Sequence, residues 1–130
     1  MKVAVIGSRN LRVSDLEKYL PQGTDCIVSG GAVGVDRCAA QYAAEHGIQL
    51  VEFLPDYDTF GRRAPLVRNV EIVKAADVVL AFWDTRSHGT EFVIEQCRKE
   101  GKECRIYTPD RSDPTTYHWQ NPPTQLSFKL

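Results

Sequence analysis

Four short stretches of this chain gather residue types that handle anions. In the stretch from Ser29 to Asp36, Gly30, Gly31 and Gly34 would let backbone N–H groups approach a phosphate where a helix opens and its dipole favours negative charge. Glycines serve a tight strand-to-helix turn equally well, and both readings stand. Asp36 falls in the first helical turn, where it either caps the helix or holds a ribose hydroxyl. Gly7, Ser8 and Arg9 offer a hydroxyl and a guanidinium able to grip a phosphate with two N–H groups, although a lone exposed Arg is usually only solvated. Ser87, His88, Gly89, Thr90 and Glu91 form a second glycine loop opening a helix. A simple N-cap accounts for Thr90 but not for Ser87, Gly89 and Thr90 together. Arg62, Arg63, Arg68 and Asn69 concentrate positive charge, with ion pairs to Asp56 and Asp58 as the plainer explanation. Tyr57 and Phe60 would stack on a base or plug the loop against the core. No nucleophile stands beside His88 by sequence.

The spacings exclude the common nucleotide fingerprints, since neither GxGxxG nor GxxxxGK[ST] occurs in these loops. Cys26, Cys38, Cys97 and Cys104 form no CxxC pair and have no His at zinc-ligand spacing. They are expected to be buried thiols. No metal and no cofactor is expected. The opening MKVAVIGSR has too short an apolar stretch for a signal peptide, so a reducing cytoplasm is the expected compartment.

These loops need a scaffold, and the periodicity supplies one. Strands are expected at Val3–Ile6, Cys26–Val28, Ile48–Leu54, Asp77–Phe82 and Arg105–Tyr107. Helices are expected from Ser14, as a cap, to Leu20, from Val35 to His46, from Leu66 to Ala76 and from Thr90 to Glu100, the last closed by Gly101. Strands alternating with helices imply an α/β fold: a three-layer Rossmann-like arrangement with a mainly parallel five-stranded sheet and helices on both faces. The anion-handling stretches all follow strands, where ligands of such sheets bind. Residues 1–108 read as this domain. Residues 109–130 read as a Pro-rich tail, with Pro109, Pro114, Pro122 and Pro123, packed on the domain or on a neighbouring subunit.

Composition fits one ordinary core. Of 130 residues, 42% are hydrophobic and 25% charged, which excludes a disordered or collagen-like chain. No apolar run approaches the roughly 18 residues of a membrane span, so no membrane partner is expected. Sixteen Lys and Arg against seventeen Asp and Glu leave a net charge of −1, which disfavours a dedicated duplex-DNA binder.

The stretches VAVIGSR, IVSGGAVGVDRCAA, FLPDYDTFGRRAPLVRN, ADVVLAFWD and SHGT, taken in order, resemble the SLOG superfamily, the Rossmann-like fold of DprA/Smf proteins and LOG phosphoribohydrolases, and within it the small single-domain YspA-like branch. The resemblance implies a pocket for a nucleotide-derived small molecule whose phosphate is held by glycine loops. Carried onto this chain, the pocket takes Gly7, Ser8, Arg9, Gly30, Gly31, Gly34, Asp36, Arg68, Asn69, Ser87, Gly89 and Thr90. It also implies a homo-oligomer, an expectation to which Tyr117, Trp119, Leu126 and Phe128 add apolar area with no obvious place in the sheet core. LOG enzymes are similar to one another in a PGGxGTxxE motif. Only Gly89 and Thr90 match it here; Thr85, Arg86 and Ser87 replace its first three residues, and Val93 stands at the Glu position.

Nucleotide binding or sensing is therefore the leading expectation. The alternative is a hydrolase acting on the N-glycosidic bond of a nucleoside monophosphate, with Asp36, Glu91 or Glu95 as candidate carboxylates. Single-stranded nucleic-acid binding along Arg62, Arg63 and Arg68 is a further alternative and is not favoured.

Overall fold

The computed structural model describes residues 1–120. Its first strand, β1 (Lys2–Gly7), is apolar on both faces because both are covered. Val3 and Val5 pack on one side and Ala4 and Ile6 on the other, following the two-residue period of a strand, and all four are buried. β2 (Cys26–Ser29), β3 (Gln49–Glu52), β4 (Val78–Phe82) and β5 (Glu103–Pro109) pair in parallel with β1 or with one another. A short β6 (Tyr117–Trp119) runs antiparallel along β5, giving the order β3-β2-β1-β4-β5-β6.

Helices supply the crossovers that parallel pairing requires. α1 (Val35–His46) lays Val35, Ala39 and Ala43 on the face that carries Val3, Val5, Leu80 and Phe82, and Gly47 ends it in the left-handed conformation at φ +65°. A four-residue α2 (Tyr57–Phe60) precedes α3 (Ala64–Ala75), which has Pro65 in its first turn. α3 and α4 (His88–Glu100) cover the opposite face, with Ile72, Val73, Val93, Ile94 and Cys97 against Ala4, Ile6, Val79, Ala81 and Ile106. Strand order reverses between β1 and β4, whose carboxyl ends lie side by side with Gly7 paired to Phe82. That crevice is where an open α/β sheet binds ligands.

Several expectations need correction. The sheet has six strands, not five. The sixth comes from the region read as tail, because β5 would otherwise be an uncovered edge. β5 itself runs through Pro109, so the boundary expected after residue 108 falls inside a strand. Tyr117 is buried rather than spare: its ring meets Tyr19 and Phe82 edge-on, and its hydroxyl donates to the Arg12 carbonyl at 2.7 Å. Trp119 stays 47% exposed. Pro122, Pro123, Leu126 and Phe128 lie outside the described residues.

The helix expected from Ser14 to Leu20 shrinks to one 3-10 turn at Leu16–Lys18, preceded by Asp15 and without a side-chain cap. Leu66 points outward at 42% exposure. Asp56 caps α2, accepting from the Thr59 N–H at 3.1 Å, and among the ion pairs of the described residues it has none with the nearby arginines. Cys26, Cys97 and Cys104 are buried and Cys38 half-buried. Among the described residues, no helix is long and apolar enough to cross a membrane.

Candidate ligand-binding cleft

The turns after β1, β2 and β4 meet at the strand-order reversal, and two adjoining cavities open there. The inner one, about 210 Å³, is floored by Ile6, Ile72 and Val93 and walled by Gly7, Asp36, Ser87 and Thr90. The outer one, about 470 Å³, is bounded by Gly30, Gly31, Leu54, Pro55, Tyr57 and Pro65. Arg9, Ala32, Arg68, Asn69 and Gly89 line both, so they form a waist between two chambers.

Two amides of the glycine loop after β2 are bonded close by. Gly31 N–H donates to the Ser29 hydroxyl at 3.3 Å, and Ala32 N–H to Asp36 Oδ2 at 3.3 Å. Asp36 is 5% exposed and, among the described residues, is the one carboxylate lining either chamber. Burial raises its pKa above the ordinary carboxyl value, while the Ala32 N–H and the Arg68 guanidinium pull the other way. Gly34 is required by geometry: its φ is +80°, and a Cβ there would lie 2.5 Å from the Arg9 carbonyl oxygen.

The two guanidiniums of the waist differ in their partners. Arg68 Nη1 donates to the carbonyls of Gly30 at 2.5 Å and Phe53 at 3.3 Å, and its Nε to Asn69 Oδ1 at 2.8 Å. It therefore ties α3 to the ends of β2 and β3. Burial lowers its pKa, with the Asp36 carboxylate opposing. Arg9 is exposed and makes no hydrogen bond or ion pair among the described residues.

The turn after β4 is held by Asp84, which the sequence reading passed over. Its Oδ1 accepts from the N–H groups of Arg86 and Ser87, both at 2.8 Å. Burial works against its ionisation, but those two N–H groups, together with the Ser8 and Asn10 side chains, keep the carboxyl below the usual range. An Asp at the start of a turn, three residues before a capping Ser, was the available signal. Within this turn Thr85 sits at φ +71°, a costly conformation for a β-branched residue. Ser87, not Thr90, is the N-cap of α4: its hydroxyl accepts from Thr90 N–H at 3.3 Å and lies 3.2 Å from Thr90 Oγ1. The Gly89 N–H at the waist keeps no acceptor among the described residues.

Of the expected site residues, Gly7, Arg9, Asp36, Arg68, Asn69, Ser87, Gly89 and Thr90 line the inner chamber, and Gly30 and Gly31 the outer. Ser8 and Gly34 line neither. Ser8 is buried and splices two turns, its N–H donating to the Phe82 carbonyl and its hydroxyl accepting from Asp84 N–H. Glu91 and Glu95 also face away: Glu91 lies 3.7 Å from His88 Nδ1 and Glu95 pairs with Arg98. Arg62 and Arg63 are exposed on a 3-10 turn outside both chambers. Tyr57 walls the outer chamber, whereas Trp83 packs on the core and donates its indole N–H to the Ser87 carbonyl at 3.1 Å. Leu54, Pro55 and Pro65 went unnoticed as chamber walls because nothing local marks an apolar residue as facing a cavity.

Residues 1–60 match the YAcAr family, described as YspA, cpYpsA-related SLOG. The Gene 61 protein of Mycobacterium phage D29 is 37% identical over 81 residues, covering 58% of this chain and 65% of that protein. The X-ray structure of DNA processing protein A (DprA) from Streptococcus pneumoniae shares the fold at a TM-score of 0.61 and 23% identity, over 81% of this chain and 49% of that one. This chain thus spans less than two-thirds of either relative's length. The family match carries β1, β2, the glycine loop and α1, so this part of the chain is similar to that SLOG family, and the solved neighbour shares the sheet that positions it.

Proposed function

We propose that the cleft binds a nucleotide or nucleotide-derived ligand whose phosphate sits at the waist. The observation that carries this reading is the Arg9 guanidinium, free of protein partners among the described residues and sharing the waist with the open Gly89 N–H and with Asn69. Charge-assisted hydrogen bonds to a phosphate satisfy both donors at once. The amides of the Gly31–Ala32 turn are already engaged internally, so the loop after β2 shapes the cleft and the turn before α4 offers the anion site. Titration calorimetry with AMP, on wild type and Arg9→Ala, tests it. Binding that weakens in the variant supports the reading, and no binding by the wild type to any nucleoside phosphate removes it.

Hydrolysis of an N-glycosidic bond is the second reading, and Asp36 is what favours it. A buried carboxyl with raised pKa, lining a cleft, suits proton transfer to a leaving base. Release of free adenine from AMP, lost in Asp36→Asn, is the expected result under that reading. A homo-oligomer remains a proposal, now resting on exposed Phe60, Leu66 and Trp119 without Tyr117. Light scattering of the full chain at tens of micromolar, on the order of 10 µM and above, reads its mass directly.

A further inference from the structure

We propose that Cys97 and Cys104 form a two-thiol redox site, which hydrogen peroxide closes into an intramolecular disulfide inside a cavity between α4 and β5. The site stands at the opposite edge of the sheet from the cleft, because Cys97 lies in the last turn of α4 and Cys104 near the start of β5. The chain reverses between them at Gly101, which ends α4 in the left-handed conformation at φ +66°, and the Lys102 N–H closes that turn on the Cys97 carbonyl at 2.9 Å. The reversal folds β5 back along α4. Both side chains thereby enter one core cluster, joined by a hydrogen bond between their thiols.

Burial alone leaves a thiol inert for want of access. Here access exists, since both cysteines line a cavity of about 390 Å³ floored by Ile94 and Ile106. Its charged lining residues are engaged elsewhere: Arg98 with Glu95, Glu103 with Arg105 and Lys102 with the Ala76 carbonyl. The thiols are therefore the reactive groups that an entering oxidant meets. The other two cysteines lack this arrangement. Cys26 is as buried but lines neither this cavity nor those of the cleft, and half-buried Cys38 accepts the Val13 N–H at 3.5 Å beside the other face of the sheet. Its hydrogen bond to Cys97, with burial, holds the Cys104 thiol well above its ordinary pKa, so Cys97 is the sulfur that attacks first. The Cys97 thiolate takes one peroxide oxygen, the O–O bond breaks and hydroxide leaves, giving a sulfenic acid. Cys104 then attacks Cys97 Sγ: the S–S bond forms, the S–O bond breaks and a second hydroxide leaves. The two thiol protons neutralise both hydroxides, so two thiols lose two electrons and one peroxide becomes two waters.

Hydrogen peroxide on the full chain carrying Cys38→Ser, which removes the most accessible thiol, tests this. Labelling with N-ethylmaleimide after unfolding should count three thiols before treatment and one, at Cys26, after it, and dithiothreitol should restore all three. Peptide mapping should place the bond between Cys97 and Cys104 of one chain. In the same background, Cys104→Ser should leave a sulfenic acid at Cys97 that dimedone traps, and Cys97→Ser should slow the loss of the Cys104 thiol at least about tenfold. The first count is read with both sulfurs in place, so it decides the matter even where a Ser variant fails to fold. Three thiols still open to N-ethylmaleimide after peroxide, a cross-link through Cys26 or between two chains, or a Cys97→Ser chain whose Cys104 oxidises as fast would each overturn the proposal.

Discussion

Arg68 Nη1 lies 2.5 Å from the Gly30 carbonyl oxygen, and a Cβ on Gly30 would lie 2.6 Å from that same nitrogen. Position 30 is thus glycine because an arginine from α3 occupies the space beside it. The two residues hold the end of β2, the end of β3 and α3 in one arrangement, with Asp36 Oδ2 3.0 Å from the same absent Cβ.

Gly30→Ala should therefore destabilise the chain by about 1–3 kcal/mol, the usual cost of forcing atoms into a filled space. Urea denaturation measures it. In an Arg68→Ala background the added methyl has room, so the double variant should lose less than the two single losses combined. Strict additivity would show that the two side chains do not compete.

Arg9→Ala and Arg68→Ala should separate binding from architecture. Arg9 has no partner among the described residues, so its removal should leave the melting temperature nearly unchanged and cost about 1.5–3 kcal/mol of nucleotide binding, one to two decades in affinity. Arg68 bridges two carbonyls, so its loss should lower the melting temperature and the affinity together. If Arg68→Ala weakens binding with stability intact, its carbonyl bonds contribute little and its role is the ligand's alone.

The architecture was largely legible in the residues, and the direction of individual side chains was not. Apolar runs such as Val78–Phe82 and the αL glycines Gly47 and Gly101 mark elements through local chemistry that any sequence displays. Arg68 was recognisable as a cation near the site, but the two carbonyls it binds lie 38 and 15 residues away, beyond any local pattern. Glu91 and Glu95 were misdirected for a different reason. α4 buries Thr90, Val93, Ile94 and Cys97, a stripe at helical spacing that leaves both glutamates on the outer face, so the period itself held the answer. β6 escaped because three residues are too few to show alternation, and its pairing depends on the exposed edge of β5.

Asp36 should give the cleft a pH signature. Burial raises its pKa in the folded protein, so the folded state holds that proton more tightly than the unfolded chain does. Its contribution is then fully favourable at low pH and is lost as pH climbs through the raised folded value. Asp36→Asn removes the titration. Relative to this variant, wild type should lose stability as the pH rises from below the ordinary carboxyl pKa through the raised folded value. Parallel stability curves for the two proteins across that interval would contradict the raised pKa.

Tyr117 and Trp119 stand two residues apart on β6 and should behave oppositely. Tyr117 is buried with its ring against Tyr19 and Phe82, and its hydroxyl donates to the Arg12 carbonyl 105 residues away. Truncation to Ala removes an aromatic side chain from the core, at a cost of about 3–5 kcal/mol. Tyr117→Phe keeps the ring and loses one hydrogen bond while leaving the Arg12 carbonyl to find water, costing about 1 kcal/mol. Trp119 points outward under the Arg105 guanidinium, 5.6 Å from the ring centroid. Such an exposed cation–π contact contributes about 0.5–1 kcal/mol, so Trp119→Ala should cost no more than that. Thermal melts of the three variants order them as Tyr117→Ala well below Tyr117→Phe and Trp119→Ala. Were Tyr117→Ala to melt with the wild type, residues 109–120 would contribute nothing to the core, and the sheet would effectively end at β5.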